Sequence, residues 1–238
     1  EKKTIQAEAS RKSEQLKTAL LDAVTHDLRT PLTSIKAAAS TIRVGQVSKE
    51  DRDDLLQVIE EETDRLSGFI QSMVDLARVE AGSFPFAVSD VSAGEIIEDA
   101  LTRAESLLSG HEVVVQAPDS LPPLRANPRL LSQVVFTLLE NAAKYAPAGT
   151  RVEVSAAPNG AGIRFAVTDQ GPGIPPDLQR QVFEKFVRGE GPHAGLGLGL
   201  TIARGIVEAH AGRIWIDSGF NGSGASIQFD IPTARSRL

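Results

Sequence analysis

The 238-residue chain has no cysteine and only one methionine, one tryptophan and one tyrosine. The lack of cysteine excludes a disulfide framework, a thiolate metal site and a cysteine nucleophile. The sequence also lacks a signal peptide pattern and any run of about 18 consecutive apolar residues, the length that a membrane-spanning helix needs. No block of lysine or arginine is present, and the formal charge is −6. The composition therefore does not favour direct nucleic-acid binding.

What is present is enough to fold, because apolar residues make up 41% of the chain. The chain begins with Glu1 and not with methionine. We therefore expect a folded piece of a longer protein.

The amino-acid composition of the chain changes near Gly82. Residues 1–81 contain a single proline and two glycines, whereas both residue types are frequent in residues 82–238. Because glycine and proline interrupt regular structure, the segment from Gly82 to Pro85 marks a boundary. We predict a helical domain over residues 1–81 and a second domain over residues 82–238.

In the first domain, apolar side chains recur at alternating intervals of three and four residues along two segments, which predicts two helices with a narrow apolar stripe. The turn between them falls at residues 45–51, where Ser48 could cap the second helix together with Asp51. One such hairpin buries little by itself, so we expect two copies to form a dimeric four-helix bundle. A coiled-coil spacer is the alternative. The stripe positions are Leu21, Thr25, Leu28, Leu32, Ile35, Ala39 and Ile42 in the first segment and Leu55, Ile59, Glu62, Leu66, Phe69, Met73 and Leu76 in the second.

The second domain mixes helical and strand patterns. Asn127 and Pro128 are typical of a helix start, and Gly212 is expected to end the last helix. Helices beside a mostly antiparallel sheet predict an α+β sandwich. Helices are predicted near residues 91–108, 128–145 and 200–211, and strands near 112–116, 151–156, 163–168, 213–217 and 225–231.

Two glycine clusters lie in the second domain, at residues 169–174 after a predicted strand and at residues 195–200 before a predicted helix. Glycines at such places let backbone N–H groups approach a phosphate. The second cluster is not a dinucleotide fingerprint, because no predicted strand immediately precedes it, and the absence of Gly-Lys-Ser/Thr excludes a Walker A loop. Either cluster could be only a turn. Residues 183–194 between them are predicted to form a mobile lid.

The end of the helix before these clusters carries Asn141, Lys144 and Tyr145 within one turn, so they share a face. An amide oxygen can ligate Mg²⁺, an ammonium can contact a phosphate and a ring can cover a base. The alternative is a solvated helix end without a ligand.

His26 is the only histidine of the first domain and lies away from the apolar stripe of its helix, so we expect it to be exposed. Thr30 lies one turn later on the same face, and Pro31 would bend the helix there. An exposed histidine without a role is the alternative.

Five motifs occur in a fixed order: His-Asp-Leu-Arg-Thr-Pro-Leu from residue 26, Leu-Leu-Glu-Asn-Ala-Ala-Lys-Tyr-Ala-Pro from 138, Asp-Gln-Gly-Pro-Gly-Ile from 169, Phe-Glu-Lys-Phe from 183 and Gly-Leu-Gly-Leu-Gly-Leu from 195. Over nearly the whole chain, this order resembles the sensor histidine kinases of two-component signalling and is most similar to the KdpD-type potassium sensor kinases. The resemblance implies a helical hairpin in a dimeric four-helix bundle, followed by an α/β sandwich ATP-binding domain of the histidine kinase, gyrase and chaperone superfamily.

The resemblance also implies site residues. His26 matches the phosphoacceptor, Asp27 the acidic neighbour that takes its proton, and Thr30 a residue that holds water for phosphatase activity. Asn141 matches the Mg²⁺ ligand, and Asp169 the carboxylate that accepts from the adenine amino group. The remaining nucleotide contacts match Lys144, Tyr145, Gly171, Gly173, Ile174, Arg188, Gly195, Gly197, Leu198 and Gly199.

The function implied is transfer of the γ-phosphoryl group of Mg-ATP to His26 and then to an aspartate of a response regulator. Such a chain would be the cytoplasmic part of a membrane-anchored bacterial sensor, attached through a preceding segment. Thr137, Leu196 and Ala211 depart from the usual family residues. An ATPase of the same superfamily is one alternative, and His26 on a dimerising hairpin argues against it. A degenerate kinase that only binds is the other, and the presence of His26, Asn141 and Asp169 argues against that.

Overall fold

The computed structural model describes residues 28–45, 47–81, 87–160, 162–187 and 197–233. The chain divides into two compact units, Glu1–Val74 and Asp75–Leu238. The division falls within a helix and ahead of Ala81, so the last turns of that helix belong to the second unit. The boundary of separately folding domains after Ala81 stays a prediction.

The first unit consists of helix α1, described over residues 28–44, and most of helix α2, Lys49–Glu80. Ser48 caps α2 as predicted: its Oγ accepts from the Asp51 backbone N–H at 3.0 Å, and its hydroxyl donates to the Asp51 carboxylate at 2.7 Å. Every predicted stripe position of α2 from Leu55 to Leu76 is buried or half-buried.

The predicted stripe of α1 is only partly correct. Leu28, Ile35 and Ile42 are half-buried, but Leu32 is 53% exposed and Ala39 is also exposed. The buried positions on this helix are Pro31 and Ala38. Starting at Leu28, alternating intervals of three and four residues lead to Pro31, Ile35, Ala38 and Ile42. The buried face of α1 therefore includes Pro31 and Ala38 in place of the predicted neighbours Leu32 and Ala39.

The second unit contains three complete α-helices and seven strands among its described residues. The elements are β1 Ser89–Val91, α3 Ala93–Leu108, β2 Glu112–Gln116, β3 Leu124–Ala126, α4 Pro128–Tyr145, β4 Arg151–Asn159, β5 Gly162–Thr168, α5 Gly199–Ala209, β6 Arg213–Ser218 and β7 Ala225–Pro232. Five strands form a sheet in the order β2-β4-β5-β7-β6, in which only the β2–β4 pair is parallel. Strands β1 and β3 form a separate antiparallel ribbon. The three helices lie between strands in sequence, which agrees with the predicted α+β class.

Local capping explains where two of these helices begin. The Ser92 hydroxyl accepts from the Glu95 N–H and the Glu95 carboxylate accepts from the Ser92 N–H, which is a complete capping box before α3. The Asn127 side chain accepts from the Leu130 N–H at 3.1 Å, and Pro128 occupies the first position of α4, as predicted.

Gly212 takes part in ending α5 as predicted, but the last helical residue lies two positions before the predicted residue 211. The helix ends at Ala209, and Ala211 rather than Gly212 has the left-handed backbone, with φ of 57°. Gly212 is needed for a different reason: a Cβ there would overlap the Asp230 carbonyl oxygen on β7. Its N–H donates to the Val207 carbonyl at 2.9 Å and closes the helix end.

The core of the second unit lies between one face of the sheet and the helices. Phe165 on β5 and Phe229 on β7 stack with ring centroids 4.8 Å apart, and both are fully buried. The end of α2 also belongs to this unit, where a Cβ on Gly205 of α5 would lie 2.5 Å from a methyl group of Val79. Among the described residues, no helix combines the length and apolarity that crossing a bilayer requires.

Candidate functional site

The site lies at the end of α4 and at the two glycine clusters of the second unit. Asn141 and Lys144 are half-buried on the last turns of α4, and the Lys144 Nζ lies 5.3 Å from the centre of the Tyr145 ring. Tyr145 is 38% exposed. A Cβ on Gly171 would lie 3.0 Å from the Tyr145 carbonyl oxygen, so the first glycine cluster packs against the end of this helix.

Asp169 follows β5 directly, and its carboxylate is held by the backbone. Oδ1 accepts from the Gly171 N–H at 2.7 Å and from the Ala225 N–H at 3.3 Å. Oδ2 accepts no hydrogen bond from any residue of the described ranges. Burial raises the pKa of Asp169, while the hydrogen bonds from Gly171 and Ala225 act in the opposite direction. A fixed, half-buried carboxylate with one oxygen open to a donor fits the amino group of a base.

The first glycine cluster needs its glycines for close approach. Gly173 has φ of 78°, and a Cβ there would lie 2.9 Å from the Gly224 carbonyl oxygen. Ile174 is half-buried, and its carbonyl oxygen accepts from the Gln179 side chain at 3.0 Å. The cluster is therefore a packed wall of the site and not only a turn.

The second glycine cluster opens α5. Gly197 has φ of 66°, and its carbonyl oxygen accepts from the N–H of Phe186, which is itself left-handed with φ of 65°. Leu198 is buried at the N-cap of α5 and supplies no side-chain cap, and no residue of the described ranges accepts from the first N–H groups of the helix. A Cβ on Gly199 would lie 3.0 Å from a methyl group of Thr137. An uncapped helix start preceded by glycine fits a phosphate group.

The residues between the clusters are described only in part. Phe183 is buried, and its carbonyl oxygen accepts from the Thr201 hydroxyl at 3.0 Å, which ties this segment to α5. Arg188, Gly195 and the predicted lid beyond Val187 lie outside the described residues.

The predicted phosphoacceptor His26 and its neighbour Asp27 also lie outside the described residues. Thr30 is exposed on α1. It lines a surface hollow of about 290 Å³ together with Arg29, Thr33 and Ser34.

Two contributors to the site are absent from the sequence-based prediction. The Ala225 N–H and the close packing of Gly224 on the Asp169 backbone both fix Asp169. The sequence signal for this packing is the glycine-rich run Gly219-Phe-Asn-Gly-Ser-Gly224. Glu140 precedes Asn141, and although its side chain reaches solvent, the protein atoms around its carboxyl raise its pKa, an effect that Lys144 partly offsets.

A metal ion at this site would depend on its nucleotide. Within the described ranges, no group of three or more histidine, aspartate or glutamate residues could hold a metal ion. Mg²⁺ usually combines one or two protein oxygens with phosphates and water, and the Asn141 amide oxygen fits such a role.

Comparison with known proteins defines the class of each part. Residues 126–235 match the family described as histidine kinase-, DNA gyrase B- and HSP90-like ATPase, and residues 16–82 match the His Kinase A phosphoacceptor domain. The second unit is thus an ATP-binding domain of that class. The solved structure of the mycobacterial sensor histidine kinase MprB is 32% identical, with a TM-score of 0.56, and the match covers 62% of this chain and 98% of that one. The chain belongs to the sensor histidine kinases.

Other relatives extend the match into the hairpin. The sensor protein KdpD of Clostridium acetobutylicum is 32% identical over 92% of this chain and 25% of its own length. The structure of full-length ShkA in complex with AMPPNP is 28% identical, with a TM-score of 0.68 over 90% of this chain and 45% of that one. The chain therefore spans about a quarter of the KdpD relative that it matches.

Proposed function

We propose that the chain is the kinase core of a two-component sensor that phosphorylates itself on His26 and passes the phosphoryl group to a response regulator. The observation that carries the proposal is the Asp169 carboxylate, whose Oδ1 is fixed by Gly171 and Ala225 and whose Oδ2 is open. It lies in the same compact unit as a half-buried Asn141 and an uncapped helix start.

ATP binding assigns a role to each part of the site. Asp169 accepts the adenine amino group, and Gly171 and Gly173 let the base approach. Lys144 and the start of α5 bind the phosphates, since both supply donors and positive charge. The Asn141 amide oxygen holds Mg²⁺, which neutralises charge on the phosphates when it is bound.

In the proposed reaction a ring nitrogen of His26 attacks the γ-phosphorus of ATP. A phosphorus–nitrogen bond forms while the bond to the ADP oxygen breaks, and Asp27 takes the proton that the imidazole releases. Apart from His26, no protein group needs to form a covalent bond in this reaction. Positioning of the reactants and neutralisation of charge on the phosphates therefore supply most of the acceleration of phosphoryl transfer.

The phosphohistidine then donates its group to an aspartate carboxylate of the regulator, and His26 regains a proton. We further propose that Thr30 holds a water molecule for hydrolysis of the regulator's phosphoaspartate. Thr30 lies four residues after His26 in sequence and is exposed on α1, where it lines the hollow formed with Arg29, Thr33 and Ser34 and is accessible to a partner.

We propose that the chain acts as a homodimer through its hairpin. Four large apolar side chains of the hairpin are exposed by 40–59% in one copy, and covering each would stabilise the assembly by roughly 1.5–3 kcal/mol. They are Leu32, Leu56, Ile70 and Val74. Attachment to a membrane is proposed for the whole sensor, through a part other than this chain.

The test is incubation with ATP labelled at the γ-phosphate and Mg²⁺, followed by acid and base treatment. We expect a label that acid removes and base does not, which is typical of phosphohistidine. His26→Gln should keep ATP binding and lose the label, whereas Asp169→Asn should lose both. A label that persists in His26→Gln at the wild-type level would reject the assignment, and release of phosphate without any protein label would favour the ATPase alternative.

A further inference from the structure

The connection between β6 and β7 packs against the residue proposed to read the base. We call residues 219–224 the β6–β7 turn. A Cβ on Gly224, which has φ of 79°, would overlap the Asp169 carbonyl oxygen, and the Gly224 carbonyl in turn lies against Gly173. The turn closes on itself through the Gly219 N–H, which donates to the Gly224 carbonyl at 3.3 Å. It therefore forms the rear wall of the Asp169 loop.

Ala225, the residue after this turn, forms two hydrogen bonds with Asp169. The Asp169 N–H donates to the Ala225 carbonyl at 2.9 Å, and the Ala225 N–H donates to Asp169 Oδ1 at 3.3 Å. With the Gly171 N–H also on Oδ1, the carboxyl group cannot rotate without losing hydrogen bonds. The orientation of Oδ2 is thus set by the position of β7 and of the turn before it.

A second set of contacts ties the same region to β4. The Gln170 side-chain oxygen accepts from the Arg151 backbone N–H at 2.9 Å. The Arg151 guanidinium lies 5.4 Å from the centre of the Phe220 ring and forms an ion pair with Glu153. Gln170 therefore anchors the Asp169 loop to the start of β4, and Phe220 anchors the β6–β7 turn to the same residue.

We propose that Gln170 and Phe220 are positioning residues that hold the Asp169 carboxylate in place and thereby set the preference for adenine over guanine nucleotides. The proposal rests on the proposed function, in which Asp169 accepts the adenine amino group. Guanine carries a carbonyl oxygen at that ring position, and a fixed carboxylate opposite it would be unpaired and repelled. A carboxylate that can turn away loses part of this discrimination.

The test measures the dissociation constants of ADP and GDP by titration calorimetry on the whole chain. In Phe220→Ala and in Gln170→Ala we expect the ratio of the GDP constant to the ADP constant to fall about fivefold, a loss of roughly 1 kcal/mol of discrimination. Phe220→Tyr keeps a ring over Arg151 and should restore the ratio. A purely structural role would lower the melting temperature but leave this ratio unchanged.

Arg213→Ala is the matched control. It removes a guanidinium that lies 5.7 Å from the centre of the Trp215 ring, a contact of the same kind on β6 but near its opposite end from the turn. The ratio of the two constants should stay at its wild-type value in this variant. A fall in Arg213→Ala as large as in Phe220→Ala would overturn the proposal, because the effect would then belong to the sheet as a whole.

Asp169→Asn separates the two proposals. If it leaves ADP affinity unchanged, the nucleotide site itself has been misplaced. If it weakens ADP binding while Phe220→Ala and Gln170→Ala keep the wild-type ratio, the site stands and the positioning role is wrong. Should Phe220→Ala fail to fold, Gln170→Ala decides alone, since it removes one acceptor from an exposed side chain.

Discussion

Ala211 occupies a backbone conformation that suits glycine, and Ala211→Gly should therefore stabilise the ATP-binding unit. Its φ is 57°, and its side chain is exposed, so the substitution removes no buried contact. The left-handed conformation costs a residue with a Cβ about 1–2 kcal/mol. Glycine loses about 0.5–1 kcal/mol more conformational entropy on folding. The difference predicts a net gain of roughly 0–1.5 kcal/mol, with a central value of about 0.75 kcal/mol.

Trp215, the only tryptophan, lies on β6 within the same unit, so its fluorescence follows the unfolding of this unit and not of the hairpin. In urea, we expect a higher midpoint for Ala211→Gly with an unchanged slope. Ala209→Gly is the control: Ala209 is exposed and still helical, so it should lose about 0.5–1 kcal/mol. Equal destabilisation by both variants would refute the argument from left-handed strain.

Three further predictions concern the reaction, pH and assembly. Thr30→Ala should spare self-labelling and slow dephosphorylation of the regulator at least about tenfold, a barrier change of roughly 1.4 kcal/mol. Asp27→Asn should instead slow self-labelling. If Thr30→Ala slows both reactions equally, the water-holding role is wrong. Burial lowers the pKa of His210, whose Nε2 accepts from the Asn127 N–H. As the pH falls, the unfolded chain therefore takes up a proton on His210 before the folded chain does. The contribution of His210 to stability should be complete above about pH 6.5 and lost as the pH falls through the lowered pKa. Urea titrations should therefore give free energies of unfolding for wild type and His210→Gln that converge in acid. Light scattering at micromolar concentration should give the mass of a dimer, and a monomer would contradict the bundle.

Patterns that act over a few residues were predictable from the sequence. The Ser48 cap, the Asn127–Pro128 helix start and the α2 stripe each depend on neighbours within one or two turns, and the structure confirms them. The α1 stripe was partly misassigned because its buried positions, Pro31 and Ala38, are small and do not stand out as apolar.

The residues that fix the site could not be found in this way. The hydrogen bond from Ala225 to Asp169 joins positions 56 apart in sequence, and it comes from a backbone N–H that any residue other than proline supplies. The same holds for the Arg151 N–H that binds Gln170. The motifs predict which side chains face a ligand, whereas the order of strands in the sheet decides which backbone groups hold those side chains. The roles of all the predicted site residues stay predictions, and His26, Asp27, Arg188 and Gly195 also lie outside the described residues.

The end of α2 bears on how modules can be exchanged between sensors. Although the glycine- and proline-containing segment after Ala81 looks like the natural joint, Leu76 is buried and Val79 packs on Gly205 within the ATP-binding unit. A chimaera joined at Gly82 would place a foreign side chain in the position of Val79, whose methyl groups pack so closely on Gly205 that a Cβ there would lie 2.5 Å from one of them. Functional hybrids should therefore keep α2 from Asp75 onward together with its own α5, so that the transferable catalytic module begins inside the helix.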